Sequence, residues 1–110
     1  MKIDLAGQVA LVTGGSRGIG RACSQTLARL GATVIINYHR SREAAERLEK
    51  DLVGEGFGGR TYQADVSDPG AVDAMFQFIR DEYHRLDILV NNAGIVRDTL
   101  LLSMTLQDWT

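Results

Sequence analysis

The chain has 110 residues, of which 45% are hydrophobic and 24% charged, and its formal net charge at pH 7 is −2. This length and composition fit one globular domain with a modest core, and the weak negative charge argues against a nucleic-acid-binding surface. No apolar run reaches membrane length and no signal-peptide pattern is present, so we expect no membrane partner and take a cytoplasmic location as the default.

A glycine-rich turn links the first predicted strand, at residues 8–12, to the first predicted helix. The turn reads Thr-Gly-Gly-Ser-Arg-Gly-Ile-Gly over residues 13–20, and Gly31 is the expected helix stop. Because a helix N-terminus offers unpaired N–H groups and glycines let a phosphate approach them, the pattern predicts a phosphate-binding turn. The alternative is a turn that only connects two elements. The predicted apolar face of the helix consists of Ile19, Ala22, Cys23, Thr26, Leu27 and Leu30.

Strands and helices alternate over the rest of the chain. Further strands are expected at residues 33–37, 60–64 and 86–90, with a helix after each of the first two. We expect Ser41 to cap the second helix, and Asp68 to cap the third helix ahead of Pro69. Four strands with three intervening helices predict an α/β fold with a doubly wound parallel sheet in the order 3-2-1-4. The buried face of the third helix is expected to consist of Val72, Met75, Phe76, Ile79 and Tyr83.

No set of side chains indicates a metal site. The single cysteine, Cys23, leaves no disulfide framework and no metal-ligand spacing, and its place on the first helix favours a small core residue. His39 and His84 have no matched cysteine, histidine or carboxylate, so both are interpreted as surface residues.

Two motifs, in this order, resemble those of the short-chain dehydrogenase/reductase family. They are Thr13-Gly14-x-x-x-Gly18-x-Gly20 and, after the fourth strand, Asn91-Asn92-Ala93-Gly94. The sequence Ile-Leu-Val-Asn-Asn-Ala-Gly-Ile-Val-Arg-Asp at residues 88–98 looks especially like the 3-oxoacyl-(acyl-carrier-protein) reductases and the related acetoacetyl-CoA reductases. The resemblance covers residues 8–110 and implies the N-terminal portion of a Rossmann-type fold, in an oxidoreductase that uses a nicotinamide dinucleotide.

The resemblance also implies where the cofactor lies. The pyrophosphate and adjoining ribose would be held by Gly14, Ser16, Gly18, Ile19 and Gly20. Asp65 and Val66 match a pair beside the adenine, whose exocyclic amine the carboxylate can contact. The alternative for Asp65 is a turn with Asp68 and no ligand. The nicotinamide-side ribose would be lined by Asn92, Ala93 and Gly94, whereas Asn91 is interpreted as a structural residue that ties neighbouring strands together.

The end of the second strand predicts which dinucleotide binds. An NAD-specific site usually has an acidic residue about 20 positions beyond the glycines, on the ribose 2′-hydroxyl. Here the strand ends at Asn37, a predicted cofactor contact, and no carboxylate follows it closely. Arg17 and Arg40 can bind a 2′-phosphate through their planar guanidinium groups, so NADP(H) is expected in preference to NAD(H). The alternative is two solvated arginines on a loop.

The catalytic part of the family pattern is missing. The family uses a serine and a Tyr-x-x-x-Lys pair, in which the tyrosine protonates the developing alkoxide. Here the three tyrosines, at positions 38, 62 and 83, are followed four positions later by arginine, valine and aspartate, and the two lysines are Lys2 and Lys50. No catalytic residue is therefore assigned, and the 110 residues alone are expected to be inactive.

Two interpretations of the whole chain follow. The first is that residues 1–110 are the N-terminal, cofactor-binding part of a single reductase domain whose catalytic part is absent. A helix is predicted to begin at Leu106, and residues 106–110 provide only its first turn. This supports the first interpretation, because a single turn is not stable unless further residues extend the helix. The complete enzyme would reduce a 3-oxoacyl thioester or similar ketone, and such family members are usually homo-oligomeric. The second is a non-catalytic nucleotide-binding or assembly module that self-associates through an exposed fourth strand.

Overall fold

Four strands and three helices alternate along residues 3–93, the part of the chain that the computed structural model describes. The sheet is parallel throughout, with the strand order β3-β2-β1-β4. This confirms the predicted α/β class, the Rossmann-type topology and the strand order. The elements are β1 (Val9–Thr13), α1 (Gly18–Arg29), β2 (Thr33–Tyr38), α2 (Arg42–Gly54), β3 (Gly59–Gln63), α3 (Pro69–Tyr83) and β4 (Ile88–Asn91).

Helices cover both faces of the sheet. On one face, side chains of β1 and β2 pack against α1 and α2; on the other, α3 packs against the alternate residues of the same strands. Within β1, for example, Ala10 and Val12 belong to the first core, and Val9 and Leu11 to the second. Because both central strands are buried on both faces, their sequences are continuously apolar rather than alternating. Within residues 3–93, no helix is long and apolar enough to cross a membrane.

The helix ends follow the predicted signals with one exception. Asp68 caps α3, since its Oδ1 accepts a 3.0 Å hydrogen bond from the Gly70 N–H, and Pro69 is the first helical residue. Ser41 occupies the N-cap position of α2, as predicted, but its hydroxyl makes no capping hydrogen bond. Its backbone, at φ −90° and ψ 56°, lies outside the extended conformation that aims an N-cap side chain at the helix.

The buried face of α3 is as predicted for four of its five residues, and Tyr83 is half-buried against the ring of Phe78. The prediction for α1 is wrong in part. Ile19 is 76% exposed, Ala22 and Thr26 are exposed as well, and the buried positions are instead the small residues Gly20, Ser24 and Ala28. Cys23 is half-buried rather than central to the core.

Small residues on α1 allow a close approach to the glycine turn. The Ser24 hydroxyl donates to the carbonyl oxygens of Gly20, at 2.9 Å, and of Gly15, at 3.2 Å. A larger residue at position 20 or 24 would force α1 away from the glycine turn. The hydrophobicity pattern misses this, because it scores side-chain polarity and not the distance between backbones.

The strand β4 is clamped to β1 at its start. The carboxylate of Asp87 accepts a 2.8 Å hydrogen bond from the Val9 N–H, and the Asp87 N–H donates to the Val9 carbonyl over 2.9 Å. Arg85 holds the same carboxylate through two 2.8 Å bonds. These contacts set the register that brings the end of β4 beside the end of β1, where the predicted site residues lie.

Candidate cofactor-binding site

The glycine turn between β1 and α1 is held in place by Asn37, at the end of β2. The Gly14 N–H donates to Asn37 Oδ1 at 3.2 Å, and the Gly15 N–H donates to the Asn37 carbonyl at 2.9 Å. The Asn37 amide in turn donates to the carbonyls of Tyr62, at 3.3 Å, and Ala64, at 3.1 Å. With only 2% of its surface exposed, Asn37 is a positioning residue that ties the turn to β2 and β3, and its predicted contact with the cofactor stays a prediction.

Glycine is required at Gly18 and at Gly20 for different structural reasons. Gly18 has a φ of +56°, and a Cβ there would meet no atom within 4 Å, so its surroundings are open to a ligand. Gly20 lies inside α1, where a Cβ would meet the Gly14 carbonyl and, at 2.6 Å, the amide nitrogen of Asn92. Gly18 therefore provides space at the helix N-terminus, and Gly20 provides close packing.

Thr13 joins the ends of β1 and β4, a role that the sequence motif containing it did not indicate. Its fully buried hydroxyl accepts the N–H groups of Asn92, at 3.0 Å, and Ala93, at 3.2 Å. It also lies 3.4 Å from the Asn91 side-chain oxygen, so Asn91 contacts the neighbouring strand, and the structural role expected for it stays a prediction. The Asn92 amide donates to the Gly14 carbonyl at 3.1 Å, so the two motifs are in direct contact. Gly94 lies outside the described residues.

A cavity of about 280 Å³ opens beside this junction, where the adenine is expected. Asp65 presents its two carboxylate oxygens differently there. Oδ1 accepts from the Ser67 hydroxyl, at 2.7 Å, and from the Ser67 N–H, at 3.0 Å, while Oδ2 lies 3.9 Å from Nε2 of His39. The Ser67 hydrogen bonds lower the pKa of the Asp65 carboxyl. The cavity is lined by Gly14, Asn37, His39, Ala64, Asp65, Val66, Ser67 and Ala93.

The structure shows the turn that the alternative interpretation of Asp65 describes, whereas the contact of Asp65 with the adenine stays a prediction. The Asp68 N–H donates to the Asp65 carbonyl at 3.0 Å, and Oδ1 completes a local turn, as the alternative required. Oδ2 lies 3.9 Å from Nε2 of His39, and both residues line the cavity. One carboxylate can form the turn and still accept a hydrogen bond from a ligand, because each oxygen has two lone pairs.

Arg17 and Arg40 line one open cavity of about 550 Å³, although they come from different loops. Both side chains are exposed, and Arg42, which the sequence analysis did not select, lines the same cavity. Arg42 is held by Gln63, whose Oε1 accepts from its guanidinium at 3.1 Å. The cavity is lined by three guanidinium groups and one carboxylate, from Glu43, so its net positive charge favours an anion such as a phosphate.

The other predicted site residues lie around the turn. Ser16 is buried, whereas Ile19, in the first turn of α1, exposes its side chain on an apolar groove of about 340 Å³. The groove also includes Cys23, Leu27 and Val90. His39 and His84 are exposed, as expected, and His84 has a left-handed backbone at the end of α3. Over residues 3–93, no three acidic, histidine or cysteine side chains form a group that could hold a metal ion.

Comparison with known proteins agrees with this geometry. The family model for short chain dehydrogenase matches residues 8–110. The 3-oxoacyl-[acyl-carrier-protein] reductase of Synechocystis sp. is 47% identical over 105 residues, which are 96% of this chain and 42% of that protein. The chain thus spans about two fifths of the length of this relative.

Solved structures give the same result. A dehydrogenase/reductase from Sinorhizobium meliloti superposes with a TM-score of 0.81 at 39% identity, over 86% of this chain and 37% of that one. A short chain dehydrogenase from Burkholderia cenocepacia, solved in complex with NADP, superposes with a TM-score of 0.78 at 46% identity, over 84% and 38% of the two chains. The chain belongs to the short-chain dehydrogenase family.

Proposed function

We propose that this chain binds NADP(H) and forms the cofactor-binding part of a short-chain oxidoreductase. The observation that carries the proposal is the alignment of three features along the C-terminal ends of the strands. They are the open glycine turn at Gly18, the cavity at Asp65 and the arginine-lined cavity at Arg17 and Arg40. Ligands of open α/β sheets bind at this edge, where the order of strands reverses.

Each part of the dinucleotide has a chemically suitable region. The pyrophosphate would contact the N-terminus of α1 at Gly18, where unpaired N–H groups carry partial positive charge. The adenine would occupy the cavity at Asp65, whose Oδ2 can accept from the exocyclic amine. The nicotinamide ribose would lie toward Asn92 and Ala93, at the end of β4. When bound, the nicotinamide would donate or accept a hydride.

The arginine-lined cavity supports NADP(H) over NAD(H). In it, Arg17 and Arg40 are joined by Arg42, and the buried end of β2 carries an amide, Asn37, where a carboxylate would repel a 2′-phosphate. The Burkholderia structure, solved with NADP, is consistent with this choice. Because these arginines are exposed, the alternative is that water alone surrounds their side chains and that they bind no phosphate. The ratio of the affinities for NADPH and NADH distinguishes the two interpretations.

For the whole protein, we propose reduction of a 3-oxoacyl thioester or a similar ketone to the alcohol, as in fatty acid biosynthesis. The support is the 47% identity to a 3-oxoacyl-[acyl-carrier-protein] reductase, which this chain covers over 42% of its length. The 110 residues contain no Tyr-x-x-x-Lys sequence. We therefore propose that they bind cofactor without catalysing turnover, since the proton donor for the developing alkoxide is not among them.

A non-catalytic assembly module is the second candidate, and the surface of β4 favours it. Ile88, Leu89 and Val90 are only half-buried, although they pack against both cores. Beside them lies the apolar groove of α1. A half-covered apolar strand favours pairing with a second copy of the chain. Under this proposal the chain would form dimers with or without cofactor.

Calorimetric titration of the 110-residue chain with NADPH and with NADH tests the main proposal. Saturable binding of NADPH, weaker binding of NADH and no steady ketone reduction are expected. A folded chain that binds neither cofactor would contradict the proposal. Light scattering on the same sample tests the second candidate: a monomer at every concentration would contradict self-association through β4.

A further inference from the structure

The strand β3 lies at the edge of the sheet opposite to β4, in the part formed by residues 3–93. Its contacts with β2 show which of its backbone groups face outward. The Val34 N–H donates to the Gly58 carbonyl at 3.1 Å, and the Ala64 N–H donates to the Tyr38 carbonyl at 2.9 Å. Because neighbouring residues of a strand direct their backbone groups to opposite sides, the even-numbered residues of β3 face β2. The N–H and carbonyl groups of Thr61 therefore face away from β2, at the edge of the sheet.

The outward N–H of Thr61 is bound by Glu49 of α2, whose Oε1 accepts it at 3.1 Å. Helix α2 comes close to the strand here, and the lack of a side chain at Gly59 allows this: a Cβ there would lie 3.3 Å from the Leu52 side chain. Glu49 is half-buried, whereas the other acidic residues of α2 are exposed. A carboxylate of the helix thus occupies the central outward-facing donor of β3.

The edge of β3 is complementary to a second copy of itself. Thr61 is the middle residue of the five, so two copies of β3 can pair antiparallel about a two-fold axis at this residue. The two Thr61 residues would exchange both of their N–H···O bonds, and Gly59 of each copy would do the same with Gln63 of the other. Arg60 would lie opposite Tyr62 of the other copy, so this register places no like charges directly opposite each other.

The positive charge beside this edge is held on α3. The Arg60 guanidinium lies 3.8 Å from the Glu82 carboxylate and 4.6 Å from the centre of the Phe78 ring. Charged side chains are a common protection of outer strands against pairing with another chain. Here the charged group that binds the outward backbone of β3 is the Glu49 carboxylate, and Arg60 contacts the neighbouring helix instead.

We propose that the edge of β3 is a surface for pairing with a second copy of this chain, and that Glu49 keeps it closed. Pairing requires both copies to break the bond between Glu49 and Thr61, which makes that bond an autoinhibitory contact. Pairing also brings two Glu49 carboxylates to the same junction, where their charges repel each other. The inference is independent of the proposed cofactor site and of association through β4, because it concerns the opposite edge of the sheet.

The test compares the unmodified chain with three single variants and one double variant. Glu49→Ala removes the acceptor, whereas the side-chain oxygen of Glu49→Gln can still accept from the Thr61 N–H without a charge. Glu46→Ala is the matched control, because it removes the same charge from the same helix at a carboxylate that lies 4.0 Å from Arg42. The double variant Glu49→Ala and Thr61→Pro deletes the outward N–H, a change that an outer strand tolerates.

Two quantities are measured over a range of protein concentrations. Sedimentation equilibrium gives the association constant, and hydrogen exchange followed by NMR gives the protection of the Thr61 N–H. For Glu49→Ala we expect an association constant at least about tenfold above that of the unmodified chain, because neither copy has to give up a hydrogen bond to a charged group. Its Thr61 N–H is expected to exchange at least about tenfold faster when the protein is dilute, and to regain protection as dimers form.

The other variants show whether the effect belongs to this bond and this edge. Glu46→Ala is expected to match the unmodified chain in both measurements, and the double variant is expected to have the association constant of the unmodified chain. Glu49→Gln should keep most of the Thr61 protection and associate less than Glu49→Ala, since it retains the bond.

Several results would overturn the inference. One is a Glu49→Ala protein that associates no more than the unmodified chain or no more than Glu46→Ala. Another is association of Glu49→Ala that persists when Thr61→Pro is added, because the contact would then lie on a different surface. If the Thr61 N–H of Glu49→Gln exchanges as fast as that of Glu49→Ala, charge and not the hydrogen bond protects it, and the closing contact is contradicted.

Discussion

The backbone N–H of Gly14 donates to the side-chain oxygen of Asn37 over 3.2 Å, so the glycine turn is anchored to β2. The other end of the Asn37 amide is bonded to the carbonyls of Tyr62 and Ala64, beyond β2 on the far side from β1. One buried amide thus connects the turn after β1 with the end of β3. The position of the turn depends on a residue that comes well after it in the sequence.

Replacing Asn37 with alanine is expected to lower the free energy of unfolding by about 1–3 kcal/mol, because the Gly14 N–H and two carbonyls lose their partner in a buried environment. Urea denaturation followed by circular dichroism measures the change. Gln63→Ala is the matched control, since Gln63 also bonds two groups through its amide but is exposed, and its loss is expected to stay within about 0.5 kcal/mol. Equal stability of the two variants would contradict the anchoring role.

Replacing Gly18 with alanine is expected to weaken NADPH binding. The alanine would have to adopt a φ of +56°, which lowers stability by about 1–2 kcal/mol, and its methyl group would occupy the open space where a phosphate is proposed. Gly56→Ala separates the two effects. Gly56 has a φ of +88° with no atom within 4 Å of a Cβ, so its alanine variant has the same type of strain away from the turn. Equal affinity for NADPH in the two variants would contradict the proposal that the phosphate binds at Gly18.

Replacing Gly20 with alanine is expected to act on folding first. The new Cβ would meet the Gly14 carbonyl and the Asn92 amide, and we expect a loss of about 1–3 kcal/mol from overpacking. Gly54→Ala, in the last position of α2, meets nothing within 4 Å and is expected to leave stability unchanged or slightly raised. Thermal unfolding of both proteins provides the comparison, and a Gly20→Ala protein as stable as the unmodified chain would contradict the close packing.

The arrangement of elements could be predicted from the sequence because it depends on local patterns. Apolar, β-branched runs such as residues 34–36 indicate buried parallel strands, and the spacing of Val72, Met75, Phe76 and Ile79 indicates one face of a helix. The strand boundaries differ from the predicted ones by one or two residues, for example in β4, which begins at Ile88 and not at residue 86. Boundaries depend on pairing with a neighbour, which a single strand does not encode.

The contacts that hold the site together could not be predicted, because they join residues far apart in the sequence. The hydrogen bond from the Asn92 N–H to the Thr13 hydroxyl joins two residues that are far apart in the sequence. They become neighbours only because β4 pairs with β1. A threonine at the end of a strand has no local signal for this role. The same applies to Arg42, whose place in the arginine-lined cavity depends on the path of α2.

Replacing both Arg17 and Arg40 with alanine is expected to weaken NADPH binding at least about tenfold more than NADH binding, since charge-assisted hydrogen bonds to the 2′-phosphate are lost. Calorimetry with both cofactors measures the ratio. The double variant Arg29→Ala and Arg47→Ala removes the same total charge from exposed positions on α1 and α2 outside that cavity, and it corrects for general electrostatic attraction. Equal losses for NADPH and NADH would mean that Arg17 and Arg40 do not bind the 2′-phosphate.

Asp87 is expected to make stability fall at acidic pH. The pKa of its carboxyl is lowered by the hydrogen bonds from Arg85 and further by the bond from the Val9 N–H. A group with a lower pKa in the folded state stabilises the protein fully above its unfolded value, near 3.9, and loses that contribution as the pH falls through its folded value. Asp87→Ala should therefore lower the free energy of unfolding by about 1–2 kcal/mol at pH 7.

The difference between Asp87→Ala and the unmodified chain should shrink when urea denaturation is repeated at about pH 3, where protonation has begun to remove the same interaction from the unmodified protein. Asp73→Ala is the matched control, because it removes an exposed carboxylate from the surface of α3. It should change stability by less than about 0.5 kcal/mol at either pH. The difference in the free energy of unfolding between Asp87→Ala and the unmodified chain could instead stay constant from pH 7 to about pH 3. The side chain would then contribute through packing and not through its charge, and the connection between β4 and β1 would depend on the backbone hydrogen bonds alone.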